Sequence, residues 1–98
     1  MNEPEEATYT IFRTGMARLR QYQVEKRIMG VKIEEYWVQL KGHKEVHCTC
    51  PGFARQRFPK IEHKHVKLAM DFYERNEPKN AEYRIHGTGA NTEIEVLS

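Results

Sequence analysis

The fold of this chain is decided by two short stretches, Cys48-Thr49-Cys50 and His63-Lys64-His65, the second of which begins thirteen positions after Cys50. They contain both cysteines and two of the five histidines of the 98-residue chain. Two thiolates and two imidazoles are the donors that a structural zinc ion needs for a closed tetrahedral shell. One residue separates the ligands within each pair, so each pair can hold the metal from one side. The sequence therefore predicts one structural zinc ion bound by Cys48, Cys50, His63 and His65.

The segments that flank these pairs predict a small antiparallel sheet and a helix. Alternating apolar residues predict about three strands, with hairpin turns at Met29-Gly30 and Gly42-His43. The third strand, over Glu45–Cys48, delivers the first ligand pair at its end, and Pro51-Gly52 then turns the chain. An apolar stripe at helical spacing predicts a helix from about Glu62 to Asn76.

The sequence predicts one further structural element at each end of the chain, a helix and a hairpin. Apolar residues near helical spacing favour a short helix over Glu5–Thr14, and turn residues between two alternating runs favour a hairpin from Tyr83 to Leu97. The expected fold class is therefore α+β: a small antiparallel sheet of about three strands, with a zinc site joining a strand end to a following helix. The expected organisation is one domain over residues 1–98, with a core over about 13–75 and a hairpin extension over 79–98.

Backbone periodicity restricts where each ligand can lie. Residues two apart share a face of a strand but point to nearly opposite sides of a helix. His63 is therefore expected just before the helix and His65 in its first turn. His47 is the alternative ligand, but it should point off the opposite strand face from Cys48. Without a metal, the cysteines would be small buried hydrophobes and the histidines surface residues, as we expect for His43 and His86.

These residues resemble a known family. The runs Cys48-Thr49-Cys50-Pro51-Gly52-Phe53, His63-Lys64-His65-Val66 and Leu68-Ala69-Met70 are similar to a SWIM zinc finger, whose pattern is Cys-x-Cys, a variable spacer and Cys-x-His opening a helix. The similarity covers roughly residues 13 to 75. It implies a zinc-binding domain of a kind associated with DNA binding, transposases, chromatin remodellers and recombination mediators. His63 stands where the family has a cysteine, and histidine is also a zinc ligand.

The charge distribution points to nucleic acid as one class of partner. The chain has a net charge of only +2, but the segment from Lys41 to Met70 carries seven basic and two acidic residues, a net +5. Such a cluster can be an electrostatic footprint for phosphates or simply a solvated face. Phe53 and Phe58 could stack on a base or, with better odds, belong to the core. The residues expected to contact phosphates, with little sequence preference, are Arg55, Arg57, Lys60, Lys64 and Lys67.

A protein partner is the alternative. SWIM domains also mediate protein contacts, and strand edges or the C-terminal hairpin, with its apolar residues Ile85, Ile94, Val96 and Leu97, could pair with another sheet or form a homodimer. The sequence predicts no enzyme, because four protein ligands leave no open position on the zinc ion. The acidic N-terminus and the lack of a long apolar run predict an intracellular protein that neither enters a membrane nor is secreted.

Overall fold

A computed structural model describes residues 7–14, 20–41, 45–57, 59–79, 81–87 and 92–97. Within these residues, six strands form one curled antiparallel sheet in the order β4-β3-β2-β1-β5-β6. The strands are β1 Thr8–Thr14, β2 Arg20–Ile28, β3 Val31–Leu40, β4 Val46–Cys48, β5 Ala81–His86 and β6 Glu93–Val96. The helical segments are α1 Pro51–Arg55, a 3-10 turn Lys60–Glu62 and α2 Lys64–Glu74.

The prediction of a small sheet of about three strands was wrong, and so was the N-terminal helix over Glu5–Thr14. Within it, Thr8–Thr14 form β1, which pairs with β2 on one side and β5 on the other. Its threonines and aromatic residues favour extended backbone. Tyr9 and Ile11 are buried on one face, whereas Thr8 and Thr10 point to the other, so the operative period is two residues and not 3.6.

The predicted hairpins are present where the structure describes them. Met29 and Gly30 join β2 to β3, and both have positive φ, 53° and 79°. Positive φ at both central residues is the geometry of a type I′ turn, which matches the twist of the flanking strands. At the C-terminus, β5 and β6 form the expected hairpin, and β5 joins it to the sheet through β1. The predicted turn at Gly42-His43 lies outside the described residues.

One face of the sheet is covered by α2 and holds the core. Apolar residues on the facing side of α2, including Val66, Leu68 and Phe72, are fully or almost fully buried. They pack on the inward residues of the central strands, such as Tyr22, whose ring meets the Phe72 ring edge to face at 5.5 Å. None of the helices in the described ranges is both long enough and apolar enough to cross a membrane.

The end of α2 is fastened to the sheet by one carboxylate. Glu77 accepts a hydrogen bond from the Tyr22 hydroxyl at 2.7 Å and forms an ion pair with Arg13 at 2.8 Å. Asn76 and Glu77 both have positive φ, 65° and 50°, a conformation that costs energy for residues other than glycine. These bonds offset that cost and fix the direction in which the chain leaves the helix.

Candidate metal centre

The predicted ligands come from two elements that the fold places side by side. Cys48 is the last residue of β4 and points to the core face, where it is 3% exposed. His63 is the N-cap of α2 and His65 lies in its first turn, as the two-residue spacing requires. Both histidines are buried, with exposures of 4% and 1%. The start of α2 therefore faces the end of β4.

Three ligand atoms converge at this point. One donor atom from each of Cys48, His63 and His65 lies within 4.8 Å of the other two. His65 Nδ1 lies 3.2 Å from His63 Nε2 and 3.6 Å from Cys48 Sγ. In a tetrahedral zinc site with ordinary bond lengths, two nitrogen ligands lie about 3.3 Å apart and a nitrogen and a sulfur about 3.6 Å apart. The two distances from His65 Nδ1 therefore match those of ligands that share a tetrahedral metal ion.

A hydrogen-bond chain sets the tautomer of His63. The amide nitrogen of Gln56 donates to the carbonyl of Pro59 at 2.7 Å, which turns the amide oxygen toward His63. That oxygen accepts from His63 Nδ1–H at 2.8 Å. Nε2 then carries the lone pair, and this is the atom that faces the cluster. Outer partners of this kind orient metal-binding imidazoles and make them more basic.

Aromatic rings hold the two imidazoles in place. The His65 ring stacks on Tyr36, with centroids 4.4 Å apart, and lies 5.8 Å from the Tyr9 ring. The His63 ring meets the buried Phe53 ring edge to face at 5.2 Å. His65 Nε2 is buried and has no hydrogen-bond partner among the described residues, so the polar contacts of this ring are those made by Nδ1 within the cluster.

Burial keeps all three groups uncharged when no cation is bound. It lowers the pKa of His63 to about 4 and that of His65 to about 3, with nearby lysines such as Lys64 adding to the effect. It also raises the pKa of the Cys48 thiol to about 12. The imidazole lone pairs are therefore available at neutral pH. A bound divalent cation would supply the positive charge that stabilises the Cys48 thiolate.

The fourth predicted ligand, Cys50, lies next to this group but not in it. Its backbone N–H donates to Cys48 Sγ at 3.4 Å. Its own Sγ lies outside the group whose atoms are all within 4.8 Å. Instead of a simple turn, α1 begins here, with Pro51 in its first turn. The structure thus brings together three of the four predicted ligands.

The other histidines lie where the strand pattern predicts. His47 points away from Cys48, is exposed, and contacts the edge of the Phe53 ring at 5.7 Å. His86 is exposed and bonded to Glu95 at 2.6 Å. Phe53 itself is buried, which confirms the core role and excludes base stacking by this ring. Phe58 and His43 lie outside the described residues.

The five basic residues predicted to contact phosphates differ in their surroundings. Arg55 and Arg57 are exposed, whereas Lys64 is half-buried near the metal cluster. Lys67 is paired with Glu62 at 3.1 Å and donates to a backbone carbonyl. The ammonium of Lys60 donates to the Phe53 carbonyl and lies 4.6 Å from the centre of its ring. The two arginines are therefore the members of this set most accessible to a ligand.

Gln56 and Tyr36 are the parts of the centre that sequence reasoning missed. A glutamine seven positions before a histidine has no recognisable spacing, and Tyr36 fits the pattern of an ordinary strand residue.

Comparisons with known protein families, with characterised proteins and with solved structures gave no match. The resemblance to SWIM zinc fingers therefore stays a prediction. The buried Cys48, His63 and His65 group can hold a metal ion.

Proposed function

We propose that this protein is a zinc-stabilised module that binds nucleic acid, rather than an enzyme. The observation that carries the zinc site is the convergence of Cys48 Sγ, His63 Nε2 and His65 Nδ1, with both distances from His65 Nδ1 matching a tetrahedral shell. A mixed sulfur and nitrogen set favours zinc over the oxygen-preferring magnesium and calcium.

Cys50 completes the shell in this proposal. It follows Cys48 by two residues, and a change of side-chain rotamer moves a cysteine sulfur by about 3 Å. Four protein ligands would close the coordination sphere, so that the metal serves the fold and activates no water molecule. Both cysteines are free thiols. A site that depends on free thiols suits an intracellular setting, where thiols stay reduced.

Cobalt substitution tests the ligand set. Co²⁺ occupies tetrahedral zinc sites, and its thiolate charge-transfer absorption grows with the number of sulfur ligands. We expect wild type to give a tetrahedral spectrum, Cys50→Ser to lose about half of the charge-transfer intensity, and Cys48→Ser to lose tetrahedral binding. An unchanged spectrum in Cys50→Ser would remove Cys50 from the set. An octahedral spectrum in wild type would overturn the closed site.

Nucleic-acid binding is supported by the exposed arginines beside the metal centre. Arg55 and Arg57 project from α1 and the segment after it, within the stretch that carries a net +5. If they contact phosphates, affinity falls steeply as the salt concentration rises, with a slope of log K on log salt of about −0.9 per phosphate on duplex DNA and about −0.7 on single strands. The proposed contacts are with the backbone, so sequence preference is low.

A salt titration of the binding constant tests this role. The double variant Arg55→Ala and Arg57→Ala should lose about two phosphate contacts. The magnitude of the slope of log K on log salt should therefore fall by about 1.4 on a single strand. Lys79→Ala removes an exposed charge outside the basic segment and is the matched control. A slope that is unchanged in the double variant, or binding that does not depend on salt, would contradict the proposal.

A protein adaptor that self-associates is the second candidate, and one observation favours it. The tip of the β2–β3 hairpin exposes Met29, Val31 and Ile33, at 80%, 63% and 46%. The apolar residues predicted for this role in the C-terminal hairpin, such as Ile85 and Ile94, instead pack against the core. Light scattering distinguishes the candidates: a mass that rises with concentration in wild type and not in Val31→Ser supports the adaptor.

A further inference from the structure

The face of the sheet opposite α2, hereafter the open face, exposes two aromatic rings at the same level. Strand register aligns Phe12 of β1 with Gln23 of β2, and Gln23 with Trp37 of β3. Phe12 is 39% exposed and Trp37 37%, whereas their chain neighbours Ile11 and Val38 are buried on the other face. Neighbouring strands lie about 4.8 Å apart, so the two aromatic residues lie about 10 Å apart, with one strand between them. Phe12 and Trp37 are hereafter called the platform.

A polar cleft adjoins this platform on the side of β4. Gln39 lies two residues beyond Trp37 on the same face and pairs with His47 of β4. These two residues form part of the wall of a cleft of about 490 Å³, which is lined by Gln39, Lys41, Glu45, Val46, His47 and Lys60. Lys41 is exposed. Lys60 uses one of the three donors of its ammonium on the Phe53 carbonyl, which leaves donors for an anion.

Two carboxylates on the open face of the central strands, Glu25 and Glu35, are paired with cationic side chains. Glu25 forms an ion pair with Arg27 at 2.6 Å and lies 3.7 Å from Lys32. Glu35 is bound by the same lysine at 3.0 Å. The cleft itself is lined by two lysines, Lys41 and Lys60, and by one carboxylate, Glu45, so its charged residues carry a net +1.

We propose that the open face binds single-stranded nucleic acid, with bases stacked on Trp37 and Phe12 and phosphates held in the cleft by Lys41 and Lys60. This inference rests on the proposed nucleic-acid-binding function and adds the form of the ligand. Every base has a face that can stack on an aromatic ring, so such binding tolerates any sequence. In a duplex the base faces are covered by their neighbours, which makes the unpaired strand the favoured form.

Trp37 is the only tryptophan in the chain, so its fluorescence reports directly on the platform. Titration with a short oligothymidylate should quench this emission, and the duplex formed with oligodeoxyadenylate should compete poorly. Affinities of the variants are measured by anisotropy of a labelled oligothymidylate. Loss of one stacked base costs about 1–3 kcal/mol, so Trp37→Ala and Phe12→Ala should each weaken binding by about 5- to 150-fold.

Matched controls separate stacking from a general loss of structure. Tyr73→Ala removes an aromatic ring that is 40% exposed on the α2 side and should leave the affinity unchanged. Trp37→Phe keeps a ring on the platform and should retain most of the binding even if Trp37→Ala unfolds. Lys41→Ser should weaken binding and reduce its salt dependence by about 0.7 in slope, the value of one single-strand contact.

The outcomes distinguish this inference from the function on which it rests. Binding that needs Arg55 and Arg57 but is unaffected in Trp37→Ala, Phe12→Ala and Lys41→Ser would overturn the open-face site and leave nucleic-acid binding in place. Tighter binding of the duplex than of the single strand would also overturn it. No binding of either form would reject both proposals. If Trp37→Ala and Phe12→Ala change only the molecular mass in solution, the open face is a protein contact and the inference is wrong.

Discussion

Gln56 offers a sharp single perturbation of the metal centre, because its side chain is bonded directly to the His63 ring. Its amide oxygen accepts the His63 Nδ1 proton at 2.8 Å, while its amide nitrogen is bound to Pro59. Gln56→Leu keeps the approximate size of the side chain and removes the acceptor. Loss of an outer partner of this kind typically lowers metal affinity about 10- to 100-fold, which corresponds to about 1.4–2.7 kcal/mol.

The assay is competition for zinc between the protein and a chromophoric chelator. Gln56→Glu restores an acceptor for His63 and gives up the bond to Pro59, so we expect it to bind zinc about as tightly as wild type. Gln21→Leu makes the same chemical change on β2, away from the centre, and is the matched control. Equal zinc affinity in Gln56→Leu and wild type would refute the claim that this hydrogen bond presents His63 Nε2 to a metal.

Three further predictions concern stability. Tyr22→Phe removes the hydroxyl that donates to the Glu77 carboxylate, and a hydrogen bond to a charged group contributes about 1.5–3 kcal/mol, so the urea midpoint should fall; an unchanged midpoint would show that the Glu77 clamp is unimportant. In metal-free protein the pKa values of His63 and His65, about 4 and about 3, lie below the ordinary 6.5. Below pH 6.5 the unfolded chain therefore binds more protons than the folded chain. As the pH is lowered from 6.5 to 4, the free energy of unfolding should fall by about 1 kcal/mol per pH unit for each histidine. A free energy of unfolding that does not change with pH when chelator is present would contradict this. Leu68→Ala, at a fully buried site on α2, should cost about 2–5 kcal/mol in denaturant unfolding, and a loss below 1 kcal/mol would mean that α2 does not pack as described.

Much of the metal centre could be predicted because its ligands are set by local backbone geometry. Because a strand places alternate residues on one face, the sequence correctly predicted that Cys48 and His47 point to opposite faces of the sheet. A helix cannot present residues two apart to one point, which put His63 at the N-cap and His65 in the first turn. The position of Cys50 could not be predicted in the same way, because α1 begins directly after it and five residues give too short a pattern for helical periodicity to show.

The number of strands in the sheet could not be predicted from the sequence for a different reason. Ala7, Ile11 and Phe12 fit a helical spacing, but Tyr9 and Ile11 fit a strand, and only pairing with β2 and β5 decides between them. Such pairing joins residues far apart in the sequence. The same holds for the platform of Phe12 and Trp37, since two aromatic residues 25 positions apart become neighbours only through the register of three strands.

The most direct test of the central claim is the metal content of the purified chain, measured by elemental mass spectrometry after dialysis against metal-free buffer. We predict one zinc ion per chain in wild type and markedly less in His65→Ala, whose removed ring supplies the nitrogen nearest both other ligands. Folded wild-type protein that contains no zinc, and takes up none when zinc is added, would contradict the account.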